Sequence, residues 1–392
     1  MRRIMLAILI TALAALVAAR AMLAAPRAAE AAAVWDSERY NVLDLTLPSA
    51  SETAGSAIVA EMDCYYLSRT PTAKNDLTGS LSGRNLVLIL AENWKIGQID
   101  EMTAPALCRL RSEGAQFAQV YAPEWYQQLD GREFALLSGI TPTAVRDRTA
   151  FAWAGEMDVY LPFALARCLS GAGYTCRAWP DGEGRETSYM ALGFSAVETG
   201  RDDPATLLDE LSRSGPFFAY FVWPESDGEA ALERLWQCLG ERGLTENTAL
   251  CLVTGHADPM QGNIFLWASG LEGADPVGPC SELDVTPTLL NLYGAAYDAR
   301  FLSGRDVFAA GEGGISDAMP LVSLYGSAYT DWVTDRGSYS ARDGAFFSTD
   351  GRLGKGQETA RYVQQVRRLA YDRYAYARQV MENNYFRVVM SR

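Results

Sequence analysis

Asn85-Leu86-Val87-Leu88-Ile89-Leu90-Ala91-Glu92 decides the fold of this chain. From Leu86 to Ala91 every residue is apolar, with none of the alternation of a strand that is wet on one face. A strand of this kind is buried on both faces, as in a parallel sheet covered by helices. Similar runs recur at 174–179, 217–223, 249–254 and 264–268. Helical patterns separate them at 103–113, 161–170, 204–213 and 229–242, and another helix is expected over 284–293. Alternating strand and helix predicts an α/β fold with a mostly parallel central sheet and helices on both faces. Beyond about residue 315 the pattern changes. Short antiparallel strands are expected at 321–325, 330–333 and 345–348, followed by a long helix over about 358–382. Tyr362, Val363, Val366, Leu369 and Tyr376 form an apolar stripe on that helix, as expected of a helix packed on its own domain.

The expected organisation is therefore an N-terminal segment at 1–27, a linker and neck at 28–83, the α/β domain at 84–315, a small β part at 316–355 and a C-terminal helix at 356–392. In the first segment, Arg2 and Arg3 precede an uncharged apolar stretch from Ile4 to Ala19. This is an export signal, cleaved or retained. With Arg20 snorkelling, the apolar stretch runs on to Pro26 and reaches the ~20 residues that span a bilayer, which favours a retained signal anchor. The positive start places the remainder outside the cytoplasm. The expected location is the cell membrane, with the domain extracytoplasmic, or the exterior if the signal is cleaved. A net charge of −14 argues against nucleic acid as a partner. The seven cysteines include no CxxC, so no disulfide scaffold is indicated, although a bond between Cys168 and Cys176 is one option.

Ligands of open α/β sheets sit at the carboxyl ends of the strands. Two strand ends carry candidate groups, Glu92 after the first run and His256 and Asp258 after the run at 249–254. His256 is the only histidine of the chain. Two carboxylates and an imidazole are material for a divalent-metal site. The same residues also serve in caps and turns, where Asp258 before Pro259 would start a turn.

From about residue 83 to 350 the chain resembles the extracellular domain of the lipoteichoic acid synthase family, within the alkaline phosphatase and sulfatase superfamily. The run at 85–91 followed by Glu92 is similar to the family's opening strand and metal-binding glutamate. Phe117 to Tyr121, then Glu133-Phe134-Ala135-Leu136-Leu137-Ser138-Gly139-Ile140-Thr141-Pro142, resembles the segment around its nucleophile. Gly173-Tyr174-Thr175, Asp181, Arg185 and Leu192-Gly193-Phe194 resemble its substrate-pocket stretch. Ser281 to Gly294, with Gly304-Arg305-Asp306-Val307-Phe308 behind it, is similar to a late helix of the superfamily and is the most specific match.

The departures from the family pattern bear on function. A gapless count back from Glu133 puts Leu129 at the position of the family's threonine nucleophile, with Asp130 next to it. The family's Gly-Asp-His metal motif is replaced by Gly255-His256-Ala257. Metal assistance and an activated nucleophile supply the rate of such an enzyme. The resemblance thus implies an extracytoplasmic, membrane-anchored pseudoenzyme needing no cofactor. Its role would be to bind or regulate, with a glycerol-phosphate polymer or lipid of the cell envelope, or an active relative, as partner. Asp181 and Arg185 would contact that ligand. The alternative is an active phosphoglycerol transferase or phosphatase with a relocated site, using Glu92, Asp130, His256 and Asp258 around Mg²⁺ or Mn²⁺.

Overall fold

The structure is a computed structural model that describes residues 35–43, 45, 57–96, 101–198, 208, 211–226, 228–256, 262–309, 315–324, 330–349, 351 and 356–391. The N-terminal segment 1–27, Ala257 and Asp258, and most of the helix expected at 204–213 lie outside these residues. Among the described residues no helix is long and apolar enough to cross a membrane.

The strands are β1 (Asn85–Lys95), β2 (Ala115–Val120), β3 (Thr175–Trp179), β4 (Ala196–Val197), β5 (Phe217–Trp223), β6 (Thr248–Gly255), β7 (Gly262–Trp267), β8 (Leu321–Ser323), β9 (Trp332–Thr334), β10 (Gly337–Ser340) and β11 (Ala345–Ser348). The α-helices are α1 (Ala57–Leu67), α2 (Pro105–Glu113), α3 (Leu129–Ser138), α4 (Ala150–Glu156), α5 (Leu165–Gly171), α6 (Glu186–Leu192), α7 (Glu229–Glu241), α8 (Val285–Leu292), α9 (Gln357–Asn383) and α10 (Tyr385–Met390).

Seven strands form one sheet in the order β2-β7-β6-β1-β5-β3-β4. β1 is central and pairs in parallel with β5 and β6. Only β7 runs against its neighbours, antiparallel to β6 and to β2. The apolar run in β1 explains its position. Leu86, Leu88 and Leu90 enter one core with α3, α5 and α8, whereas Val87, Ile89 and Ala91 enter the other with α2 and α7. Residues Leu86 to Leu90 are fully buried. At about 1.5–3 kcal/mol for each large aliphatic side chain, that one strand contributes on the order of 10 kcal/mol of gross burial.

The smaller sheet has the order β11-β10-β9-β8 and is antiparallel throughout. Trp332 and Tyr339 stack at 5.3 Å and pack under Tyr362, Val366 and Leu369 of α9. The stripe read from the sequence is thus the face that α9 turns to its own domain. Farther along, Tyr376 stacks on Tyr65 of α1 at 3.8 Å.

The local differences have physical causes. α1 lies where the neck showed no sustained period, because its buried face of Val59, Met62, Asp63, Tyr65 and Tyr66 includes a carboxylate, while Ala57 and Cys64 are exposed, so the two faces differ little in polarity. β10 begins at a glycine and carries two serines, so it lacks the composition of a strand. Cys168 and Cys176 are both free thiols. Burial pushes each up to about 12.

Candidate functional site

β1 and β6 end side by side, with Ala91 opposite Thr254 and a register shift before Lys95 pairs with Gly255. The strands close up here. A Cβ on Gly255 would lie 2.6 Å from the Glu92 carbonyl oxygen, so only glycine admits this approach. Glu92 and His256 are therefore brought to neighbouring strand ends. Asp258 lies outside the described residues.

The first turn of α3 faces these ends. Leu129, its first residue, is partly buried against the large core. A residue later, Asp130 turns to a different cluster. The residue that reaches the strand ends is Arg132, which is 2% exposed. Its Nη2 donates to the Thr254 carbonyl at 3.0 Å, and Nη1 to the Glu92 carbonyl at 3.3 Å. Nε and Nη2 both donate to Oε1 of Glu282, at 2.9 and 2.7 Å. Glu282 is held by a capped turn, in which the Ser281 and Asp284 side chains each bond the other's backbone N–H. Asp284 also accepts from the Arg305 backbone at 2.8 Å. The late-helix motif thus has a specific task, which is to present a carboxylate to Arg132.

His256 is buried at the end of β6. Burial, and then the Arg132 cation, lower its pKa to about 4, so the imidazole is neutral at physiological pH.

The second cluster lies on the other flank of α3. Nη2 of Arg185 pairs with Asp130 Oδ1 at 2.6 Å and with Glu133. Thr149 donates to Asp130 Oδ2 at 2.6 Å. Glu133 is fully buried and accepts from Tyr189 and, at 3.1 Å, from Tyr220. The Arg185 guanidinium also lies over the Phe151 ring at 4.7 Å. Burial raises the Glu133 pKa, against the pull of Arg185 and the two phenols. Two carboxylates already share Arg185, so any anion must compete with them. Asp181, in the turn before α6, is also engaged in the fold.

Of the candidate metal ligands, Glu92 and His256 lie among the described residues and Asp258 does not. Among the described residues no three His, Cys, Asp or Glu side chains converge as metal ligands. The space between the two strand ends is held by a guanidinium instead. A divalent ion ~4 Å from that charge would be repelled by roughly 8 kcal/mol at an effective dielectric of 20.

Arg132 and Glu282 are the site residues that a reading of the sequence passes over. The available signal was a charge set among apolar helix positions, Arg132 before Phe134, Leu136 and Leu137, and Glu282 before Val285, Leu289 and Leu290. Charges at such positions are rarely buried unless paired.

An open cleft of about 540 Å³ adjoins the start of α3. Trp125 and Tyr374 supply aromatic faces, and Gln128, Asp147, Arg148 and Thr149 supply polar groups. Thr143, 4% exposed, also lines it, and its hydroxyl has no hydrogen-bond partner among the described residues.

No protein-family model and no curated protein sequence matches the chain. Solved structures do. Lipoteichoic acid synthase LtaP from Listeria monocytogenes superposes with a TM-score of 0.63 at 16% identity, over 80% of this chain and 96% of that one. A protein in the alkaline phosphatase superfamily from Vibrio parahaemolyticus gives 0.54 at 14% identity, over 80% and 91%. A 2-O GAG sulfatase gives 0.51 at 13% identity, over 77% and 94%. At these identities the likeness establishes architecture, and the chain has the alkaline phosphatase/sulfatase-like fold.

Proposed function

We propose that this chain is a membrane-anchored, extracytoplasmic pseudoenzyme that binds a hydroxyl-rich cell-envelope ligand of the glycerol-phosphate type. The observation that carries the reading is the Arg132–Glu282 pair. A buried cation fills the gap between the strand ends, where the resembled enzymes have metal motifs, and Leu129 stands at the position of their nucleophile. Leucine offers no oxygen to attack phosphorus. Asp130, its neighbour, is engaged by Arg185 and Thr149. Arg2, Arg3 and the apolar stretch behind them support the anchor.

The cleft beside α3 supports a binding role. Aromatic faces with a few convergent polar groups are the usual lining of a small-molecule site. Trp125 and Tyr374 suit the carbon skeleton of a polyol. Gln128 and Asp147 suit its hydroxyls. Arg148 is the phosphate contact. It pairs with Glu156 at 3.5 Å while more than half exposed, and so weak a surface pair is readily exchanged for a phosphate.

Calorimetric titration of the full-length chain with short glycerol-phosphate oligomers tests the reading. Saturable binding is expected, weakened at least tenfold by Trp125→Ala and by Arg148→Ala. Binding that is unchanged in both variants, or no binding by the parent chain, contradicts it.

A further inference from the structure

We infer that Arg132 is a tethered replacement for a divalent cation, and that removing its side chain turns the site into one that binds a divalent metal. The argument starts from the donors around the guanidinium. They include a carboxylate, Glu282, and two strand-end carbonyls, those of Glu92 and Thr254. Carboxylate and carbonyl oxygens are the ligands that a hard divalent cation selects. Glu282 spends only Oε1 on Arg132. Its Oε2 is buried, with no hydrogen-bond partner among the described residues. This carboxylate therefore has an unused oxygen, as a bidentate metal ligand would. His256, two residues beyond Thr254 and buried, lies close enough to feel the Arg132 charge.

A bridging cation at this place has a structural task. β1 and β6 bring two carbonyl oxygens together at their carboxyl ends, and α3 and the 282–284 turn close over them. Oxygens crowded in a dry site repel one another unless a positive charge lies between them. In a metal site the ion supplies that charge. Here a side chain on α3 does, and because it is covalently attached it cannot be lost to a chelator. Arg132 is accordingly a positioning residue for the strand ends. The fold should need no metal, and its demand for a cation should reappear once Arg132 is cut back.

The inference goes beyond the binding role proposed above, and the two fail separately. Glycerol-phosphate binding at the cleft tests the first, and metal binding by a variant tests the second. The experiment compares the full-length chain with Arg132→Ala, Arg132→Lys and the double variant Arg132→Ala/Glu282→Gln. Thermal unfolding is followed in EDTA and in Mn²⁺, and Mn²⁺ binding by calorimetry. The parent chain and Arg132→Lys should bind no Mn²⁺ and show the same Tm in both. Arg132→Ala should unfold at lower temperature in EDTA, bind one Mn²⁺ and regain several degrees, and the double variant should lose that response. If Arg132→Ala does not fold in EDTA, it is refolded in Mn²⁺. Recovery of the native circular dichroism supports the inference, and no recovery, with the parent refolding equally in both, overturns it. It is equally overturned if a folded Arg132→Ala gains no Mn²⁺ affinity over the parent, or if the parent binds Mn²⁺ as tightly as the variant.

Discussion

Nη2 of Arg132 lies 2.7 Å from Oε1 of Glu282, with both side chains 2% exposed, and this pair closes the carboxyl ends of β1 and β6. The two residues are 150 positions apart in sequence and are joined only by the fold. Breaking such a pair from one side strands a buried charge, which typically costs about 3–5 kcal/mol. Arg132→Met should destabilise the chain by that amount in urea unfolding. Glu282→Leu on the same background should recover much of the loss, because it removes the stranded carboxylate. Additive losses in the double variant would show that the two side chains do not act as a pair.

Arg185 should behave as a structural residue more than a ligand contact. Arg185→Ala leaves Asp130 and the fully buried Glu133 without their cation, for an expected loss of about 3–5 kcal/mol. Arg185→Lys should recover only part of this, since an ammonium can replace Nη2 between the two carboxylates but not the Nη1 contact to Tyr189 at 3.5 Å or the flat guanidinium face over Phe151 at 4.7 Å. Urea unfolding of the two variants gives the comparison, and a loss under 1 kcal/mol in Arg185→Ala would contradict the geometry.

Gly131 permits the turn before α3 to pack against it. A Cβ there would lie 2.4 Å from the Trp125 carbonyl oxygen, a contact that real Cβ atoms do not make. Gly131→Ala should cost about 1–3 kcal/mol through the forced backbone shift. It should also weaken ligand binding at the cleft, because that shift displaces Trp125. Thermal unfolding and calorimetry measure the two effects, and no change in either would contradict this packing.

The imidazole of His256 makes stability depend on pH. Its folded pKa, about 4, lies below the ordinary 6.5. Between those values the unfolded chain binds a proton that the folded chain refuses. Its contribution is therefore fully present above about pH 6.5 and falls as pH drops towards 4, by roughly 3 kcal/mol at most. Asp306, raised by burial to about 6, acts with the opposite sign over nearly the same range, so the difference between variants is the test. His256→Gln should lose less stability than the parent between about pH 7 and about pH 4.5. Parallel pH profiles would mean that His256 is not buried as described.

The central sheet was legible because Leu86 to Ala91 is apolar without alternation, and that pattern has one physical meaning. The long C-terminal helix was legible for a similar reason, a stripe at helical spacing. α1 was not, because Asp63 sits on its buried face and Ala57 and Cys64 on its exposed one, which blurs the stripe. Glu92 and His256 were readable as strand-end residues from local order alone. Arg132 was not, since its role depends on Glu282, Thr254 and the Glu92 carbonyl, which only the tertiary fold assembles. Arg185 reads in the sequence as an open anion contact, and it is the buried Glu133 beside Asp130 that alters this. Single residues declare their secondary structure, whereas a charge declares its function only when its partner is known.

Turnover is the most direct test of the account. The purified full-length chain is assayed for hydrolysis of a chromogenic phosphodiester and a phosphomonoester, with Mg²⁺, Mn²⁺ or Zn²⁺ present. With Leu129 proposed at the nucleophile position and Arg132 proposed in place of a cation, the account predicts rates no different from buffer with metal alone. Metal-dependent turnover that Glu92→Ala abolished would contradict it.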